Sequence, residues 1–210
     1  MILETLVVGP MQVNCYILAP QEGSPAIIID PGAEAKKIKK ALSRYSLQAS
    51  LVINTHGHYD HIGADNEFAA PVYVHAQDGP LLKDPRLNLS GVFGWPYSVK
   101  GKIEFLEDGR EAGIGGIKLK VLHIPGHTAG GIALQLVDPH IRAVFTGDTL
   151  FRQSIGRSDL AGGNESLLIK GIREKLLSLD DNTAVYPGHG PATTIGEEKR
   201  SNPYLSEQSV

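Results

Sequence analysis

The sequence predicts an α+β layered sandwich, formed as a single domain over residues 1–210. Three observations carry this reading. Short β-branched segments come first and later alternate with amphipathic helical ones, an order that favours stacked layers of sheet and helix. Hydrophobic residues make up 41% of the chain, enough for a sizeable core and too many for a disordered protein. No repeat, low-complexity tract or linker divides the chain.

The elements follow in order. Ile2–Val8, Val13–Leu18 and Ala26–Ile29 have strand composition and stop near Gly or Pro. A helix is expected from about Ala33, because Ile38, Leu42 and Tyr45 recur at helical spacing opposite a row of lysines. "SLVIN" is a short apolar strand. A helix from about His61 to Ala69 and the strand "PVYVH" come next. Residues 83–101 lack periodicity and hold the single tryptophan, Trp95; loops of this length are often functional. Phe93, Trp95 and Tyr97 in this loop have two readings, a cover over the core or a wall for a substrate. Strands are then expected at Ile103–Leu106, Ile117–Ile124, Gly131–Val137 and Ile141–Thr146. "NESLLIKGIREKLLSL" is an amphipathic helix with Asn164 as N-cap and Leu168, Ile172 and Leu176 in the core. "NTAVYPGHG" gives a last strand and turn. "TTIGEEKR" is a short helix with a capping box from Thr194 to Glu197, stopped at Asn202-Pro203.

Composition narrows the function. The formal charge is −3 with basic residues scattered, which argues against nucleic acid as a partner. The run Lys36-Lys37-Ile38-Lys39-Lys40 reads as the solvated face of a helix. The N-terminus reads as two strands and not a signal peptide, and no apolar run is long enough to span a membrane. The lone Cys15 has no internal disulfide partner and reads as an inert core thiol; a reducing, cytoplasmic setting is expected.

The stretch "NTHGHYDHIG" places His56, His58, Asp60 and His61 within six residues. Three imidazoles and a carboxylate have little packing value together, and their crowding makes sense around a cation. His56 and His58 share a face of extended chain, while Asp60 and His61 diverge as the chain turns into the next element. One turn could thus serve two metal positions. His127 in "IPGHTAGG", His189 in "YPGHGP" and Asp148 in "VFTGDTLF" also sit in turns beside glycine, where backbone and metal can approach closely. His75, His123 and His140 lack that setting. Two divalent ions bring four positive charges; Asp60, Asp148 and a bridging hydroxide remove three, so the site stays positive and suits a developing oxyanion. A bound metal can lower the pKa of water from 15.7 to about 7.

"THGHYDH", "GHTAGG", "TGD" and "PGHG", in this order, resemble the metallo-β-lactamase superfamily, and "MQVNCYIL" and "IIIDPGA" resemble it too. The resemblance implies a four-layer αβ/βα sandwich with metals at one edge of the paired sheets. It implies His56, His58 and His127 on a first metal, Asp60, His61 and His189 on a second, Asp148 bridging, and Asp30 bracing the "THGHYDH" turn. Zinc is the expected metal, with iron or manganese as alternatives.

Within the superfamily, "GDTLF", "IGRSDLAGGN" and "GHGPATTIGEEKRSNPYL" resemble glyoxalase II and its shorter relatives, which hydrolyse thioesters such as S-lactoylglutathione. A small-molecule thioester is therefore the expected substrate, with Asp60 and Asp148 serving catalysis beside a metal-bridging hydroxide. The chain departs from the longer enzymes. They continue in a helical part that helps bind glutathione, whereas 21 residues follow His189 here. Where they carry a lysine and a tyrosine after "GDTLF", this chain has Arg157, Ser158 and Asp159. Arg157, Trp95, Lys199 and Arg200 are the expected substrate contacts. The rival readings are a persulfide dioxygenase with one iron on His56, His127 and Asp148, a β-lactamase or nuclease of the same fold, and a metal-binding protein without catalysis.

Overall fold

The computed structural model describes residues 1–205. The chain enters as a hairpin of β1 (Ile2–Val8) and β2 (Val13–Ala19), adds β3 (Pro25–Ile29), and crosses through α1 (Ala35–Arg44) to β4 (Gln48–Ile53). After the one-turn helix α2 (Tyr59–Ile62) come β5 (Val72–His75), α3 (Gly79–Lys83) and β6 (Ile103–Leu106). These strands form one six-stranded sheet in chain order, antiparallel over β1 to β3 and parallel from β3 to β6.

The second half builds β7 (Glu111–Ile114), β8 (Ile117–His123), β9 (Ile132–Leu136) and β10 (Ala143–Gly147) as an antiparallel meander. The short ribbon of β11 (Leu150–Phe151) and β12 (Ser154–Ile155) follows, then α4 (Glu165–Gly171), β13 (Ala184–Pro187), β14 (Thr193–Thr194) and α5 (Ile195–Ser201). The second sheet has the order β14-β13-β10-β9-β8-β7, and β13 runs parallel to β10.

Period-two alternation assigns each strand's two faces to two different cores. Val13, Cys15 and Ile17 of β2 and Ala26 and Ile28 of β3 pack under α1 with Ile38, Ala41 and Leu42. The other faces, Tyr16, Leu18, Ile27 and Ile29, meet Leu119, Val121, Leu134 and Phe145 of the second sheet. Val144 and Val185 turn outward beneath Leu168, Ile172 and Leu176 of α4 and its continuation, with Ile195 of α5. Three cores between four layers make the αβ/βα sandwich. Each sheet is covered on both sides, so its central strands are apolar throughout.

Several local expectations change. The helix expected over His61–Ala69 is only α2 followed by a 3-10 turn at Asp65–Glu67. The chain bends there to pack on residues 30–32: Ala64 N donates to Pro31 O at 2.8 Å, and a Cβ at Gly63 would lie 2.4 Å from Gly32 O. The helix after Asn164 is α only to Gly171 and widens to a π-turn over Ile172–Leu176. Strand β7 and helix α3 add to the expected elements. Asn164 caps α4 by accepting from Leu167 N at 3.0 Å. Thr194 accepts from Glu197 N at 3.2 Å, whereas the Glu197 carboxylate accepts from Arg200 and Ser201.

Candidate metal centre

Four loops bring the candidate side chains to one edge. The end of β4 leads into Asn54–His61, the loop after β8 carries His127, and β10 and β13 end at Asp148 and His189. Because β10 and β13 are parallel, their C-terminal ends lie side by side; Gly188 N donates to Gly147 O at 2.8 Å. The two sheets are tied together here. Asn14 of β2 donates through Nδ2 to Pro187 O and Gly190 O at 3.0 and 2.8 Å, and Tyr16 Oη donates to Pro187 O at 2.6 Å. The loop after β8 is tied in by Ile132 N, which donates to Thr55 O at 2.9 Å.

All seven side chains singled out by spacing converge. Ligand atoms of His56, His58 and His127, of His56, His61 and Asp148, and of Asp60, His61 and His189 form three overlapping clusters, the atoms of each within 4.8 Å of one another. Asp148 sits centrally, with Oδ1 3.4 Å from His61 Nε2 and Oδ2 3.7 Å from His127 Nε2 and 3.6 Å from His189 Nε2. Asp60 Oδ2 is 3.4 Å from His189 Nε2. His75 and His123 stack on each other at 3.8 Å, apart from the cluster, and His140 lies at the exposed β9–β10 turn.

Hydrogen bonds behind the cluster set which ring nitrogen faces inward. His61 Nδ1 donates to Asp30 Oδ2 at 2.9 Å, and His127 Nδ1 donates to Arg157 O at 2.8 Å. His56 Nδ1 faces Thr55 Oγ at 3.2 Å. The Nε2 atoms of these rings are thereby left as lone-pair donors toward the centre, the arrangement that orients imidazole ligands. Asp30, buried and at φ 51, also accepts from Thr55 N and Thr55 Oγ, each at 2.7 Å. It therefore braces the turn between β4 and α2 at three points.

Asp78 is a bracing residue that spacing did not reveal. It is fully buried and accepts from Gly57 N at 2.9 Å, Thr128 Oγ at 2.8 Å and Gly130 N at 2.6 Å. One carboxylate thus joins the turn carrying His56 and His58 to the loop carrying His127. The sole sequence cue is an Asp-Gly pair at a turn.

Electrostatics divide the cluster into two neutral rings and two rings paired with ionised carboxylates. Burial, then neighbouring histidines, holds His56 well below the ordinary imidazole range and His58 at about 4, so both rings are neutral at pH 7. Burial pushes Asp148 and Asp60 upward, but His61 and its neighbours outweigh it and leave both carboxylates ionised. Burial opposes charge on His61 and His189 as well, yet the surrounding carboxylates raise both. His56 Nε2, His61 Nε2 and Asp148 Oδ1 are buried without a hydrogen-bond partner. Three orphaned buried polar atoms converging on one point would be costly as they stand. The donor set of five imidazoles and two carboxylates suits divalent metal ions.

Above the cluster lies a cavity of about 520 Å³. His58, Asp60, His127, Asp148 and His189 form its floor, and Met11, Leu89, Val92, Phe93, Trp95 and Leu160 contribute its walls. Phe93 and Trp95 do not cover the core: they are 51% and 63% exposed. Tyr97 does pack on the core, and its hydroxyl accepts from Asn66 N. Arg157 reaches the cavity wall, but its guanidinium is paired in two places with Asp159 at 2.8 Å. Lys199 and Arg200 are absent from the lining; they pair with Asp181 and Glu197. Both extend from the last helix along the surface, outside this cavity.

Comparisons with known proteins agree with this geometry. A family model described as the metallo-beta-lactamase superfamily matches residues 8–189. An uncharacterized protein of Mycobacterium tuberculosis is 42% identical, with 94% of each chain covered. A hydroxyacylglutathione hydrolase of Haemophilus influenzae is 35% identical, with 99% of each chain covered. Among solved structures, the BLEG-1 B3 metallo-beta-lactamase superposes with TM-score 0.91 at 38% identity, over 98% of this chain and all of the other. A protein solved in a di-iron-bound form gives TM-score 0.81 at 37% identity, over 96% of this chain and 100% of the other. The chain belongs to the metallo-β-lactamase superfamily.

Proposed function

We propose that the chain is a two-metal-dependent thioester hydrolase of the glyoxalase II type. The observation that carries the reading is the convergence of seven donors, three of them with a buried polar atom left without a partner, with Asp148 placed between the two halves of the cluster. His56, His58 and His127 would hold one ion, Asp60, His61 and His189 the other, and Asp148 both. Zinc is the expected metal; the likeness to a chain solved with two irons supports a pair of ions and keeps iron open. Such ions supply Lewis acidity at a carbonyl and bring the pKa of water down to about 7.

The chain's own residues do the rest. Asp60 and Asp148 remain ionised and offset part of the added charge, and Asp60, on the cavity floor, is placed to take a proton from water. Asp30 and Asp78 hold the rings in position. A thiol of pKa about 8.5 leaves as a thiolate without a strong general acid, which fits thioester cleavage at such a site. The likeness to a hydroxyacylglutathione hydrolase over nearly the full length of both chains supports this choice of bond.

The test is metal analysis of protein prepared with defined metals, followed by a panel of thioesters, a β-lactam and glutathione persulfide. Two ions per chain and thioester turnover are expected, with Asp148→Ala losing both. Full metal loading and activity in that variant, or turnover of the β-lactam or persulfide alone, would overturn the proposal.

A further inference from the structure

The walls of the cavity above the metal centre are mostly apolar, with Tyr59, Asn88 and Arg157 as their polar side chains. Met11 contributes from the β1–β2 turn, Leu89, Val92, Phe93 and Trp95 from the long loop after α3, and Leu160 from the loop before α4. Val92, Phe93 and Trp95 are 77%, 51% and 63% exposed, though soluble chains rarely cluster large apolar side chains at the surface without use. The cavity's volume lies within the range of roughly 300–1,000 Å³ usual for small-molecule sites.

Arg157 is the one Lys or Arg among the described residues that line this cavity. Both of its groups are engaged. Its backbone carbonyl accepts from His127 Nδ1, and its guanidinium is matched in fork geometry by Asp159. Asp159 takes up the Nε–Nη2 edge of the fork, so a substrate carboxylate at the remaining Nη1 edge would lie near a like charge and gain little from the pairing. Glutathione brings two carboxylates, and the wall offers no unpaired cation for either.

We infer that the wall formed by Val92, Phe93, Trp95 and Met11 selects an uncharged, apolar arm of the substrate, an aliphatic or aromatic acyl or thiol group, in preference to glutathione. This deepens the proposed thioesterase function and rests on it for its kinetic test. The binding measurement described below stands without it.

The kinetic test compares thioesters of one neutral thiol, N-acetylcysteamine, carrying acetyl, butanoyl and hexanoyl groups, with S-lactoylglutathione and S-lactoyl-N-acetylcysteamine. Each buried methylene adds about two- to fourfold to kcat/KM, so hexanoyl should exceed acetyl by about tenfold or more. Trp95→Ala and Phe93→Ala should each flatten this dependence by raising KM for the hexanoyl substrate. A flat chain-length profile, or a preference of tenfold or more for the glutathione thioester over its neutral counterpart, would overturn the inference. Trp95 is the only tryptophan, so its emission reports occupancy of the wall without turnover. S-hexyl-N-acetylcysteamine, a thioether, should shift that emission to the blue at lower concentration than S-methylglutathione does. If no thioester is hydrolysed but this shift is seen, the thioesterase reading fails and the apolar wall stands. If S-methylglutathione shifts the emission at the lower concentration, or the thioether gives no shift, the inference fails on its own.

Discussion

Replacing Asp78 tests whether the metal centre depends on one buried carboxylate outside it. Asp78 accepts from two backbone amides and one hydroxyl, all buried, at 2.6 to 2.9 Å. In Asp78→Ala, Gly57 N and Gly130 N lose this acceptor. Each orphaned buried donor costs about 1–3 kcal/mol, so the loss is roughly 2–6 kcal/mol, to which the vacated volume adds. That is a large part of a typical stability of about 5–15 kcal/mol, so the variant is expected to accumulate poorly. Asp78→Asn is the sharper probe. Whichever way the amide turns, one of the two glycine N–H groups faces an NH2, while the Thr128 hydroxyl can rotate to accept. The expected loss is about 1–3 kcal/mol in urea unfolding of metal-depleted protein. Gly57 lies between His56 and His58, and Thr128 follows His127, so metal affinity should fall about 10- to 100-fold in competition with a chromophoric chelator. Unfolding within about 0.5 kcal/mol of the parent, with metal affinity within about threefold, would show that Asp78 does not hold the loops.

Three further outcomes follow from the same geometry. Gly188→Ala puts a Cβ 2.2 Å from Asp148 Oδ1 and 2.8 Å from His61 Cε1, so metal content by atomic emission should drop while far-UV circular dichroism stays native; unchanged content would refute the crowding. Burial, then His123, holds His75 at about 4, below its ordinary 6.5. The unfolded chain therefore binds the proton first, and the stability owed to neutral His75 is whole above pH 6.5 and lost as pH falls toward 4. His75→Phe keeps a ring for stacking and removes the titration, so the parent should lose more Tm than the variant between pH 7 and 4.5; parallel losses would refute the assignment. Asn164→Ala removes the cap of α4 and should cost about 1 kcal/mol in thermal unfolding with metal content unchanged.

What could be read from sequence divides along the range of the interactions. The strand composition of β2 and β3, the helical spacing of Ile38 and Leu42, and the caps at Asn164 and Thr194 are local, and the elements formed where local pattern placed them. Strand β7 carries a local signal as well: Gly115 and Gly116, both at positive φ, separate "EAGI" from "IKLK" in a two-residue hairpin turn, although Gly113 weakens the strand pattern. The short α2 was not legible, because its length is set by contact with residues 30–32, distant in sequence. The same limit governs the site. Donors beside glycine could be found one turn at a time, yet the Asp-Gly pair at Asp78 signals only a turn, since the residue's value lies in reaching two loops at once.

The cations show the limit from the other side. Arg157, Lys199 and Arg200 looked alike as substrate contacts because sequence shows a charge and not its partner. Asp159 is two residues from Arg157 and Glu197 three from Arg200, so these pairings were within reach of a local reading, whereas Asp181 lies 18 residues from Lys199. Surface ion pairs contribute little stability, about 0–1 kcal/mol each. Their consequence here concerns specificity. A cation already paired beside the cavity draws an anion less, which leaves more of the selection to the apolar side chains around it. The donors that would hold the metals sit on the strand-end turns and the turn after β4, whereas the wall that would choose the substrate comes from the β1–β2 turn and the loop after α3. Substitutions in that loop can change the acyl or thiol arm accepted without altering a single metal-ligand candidate.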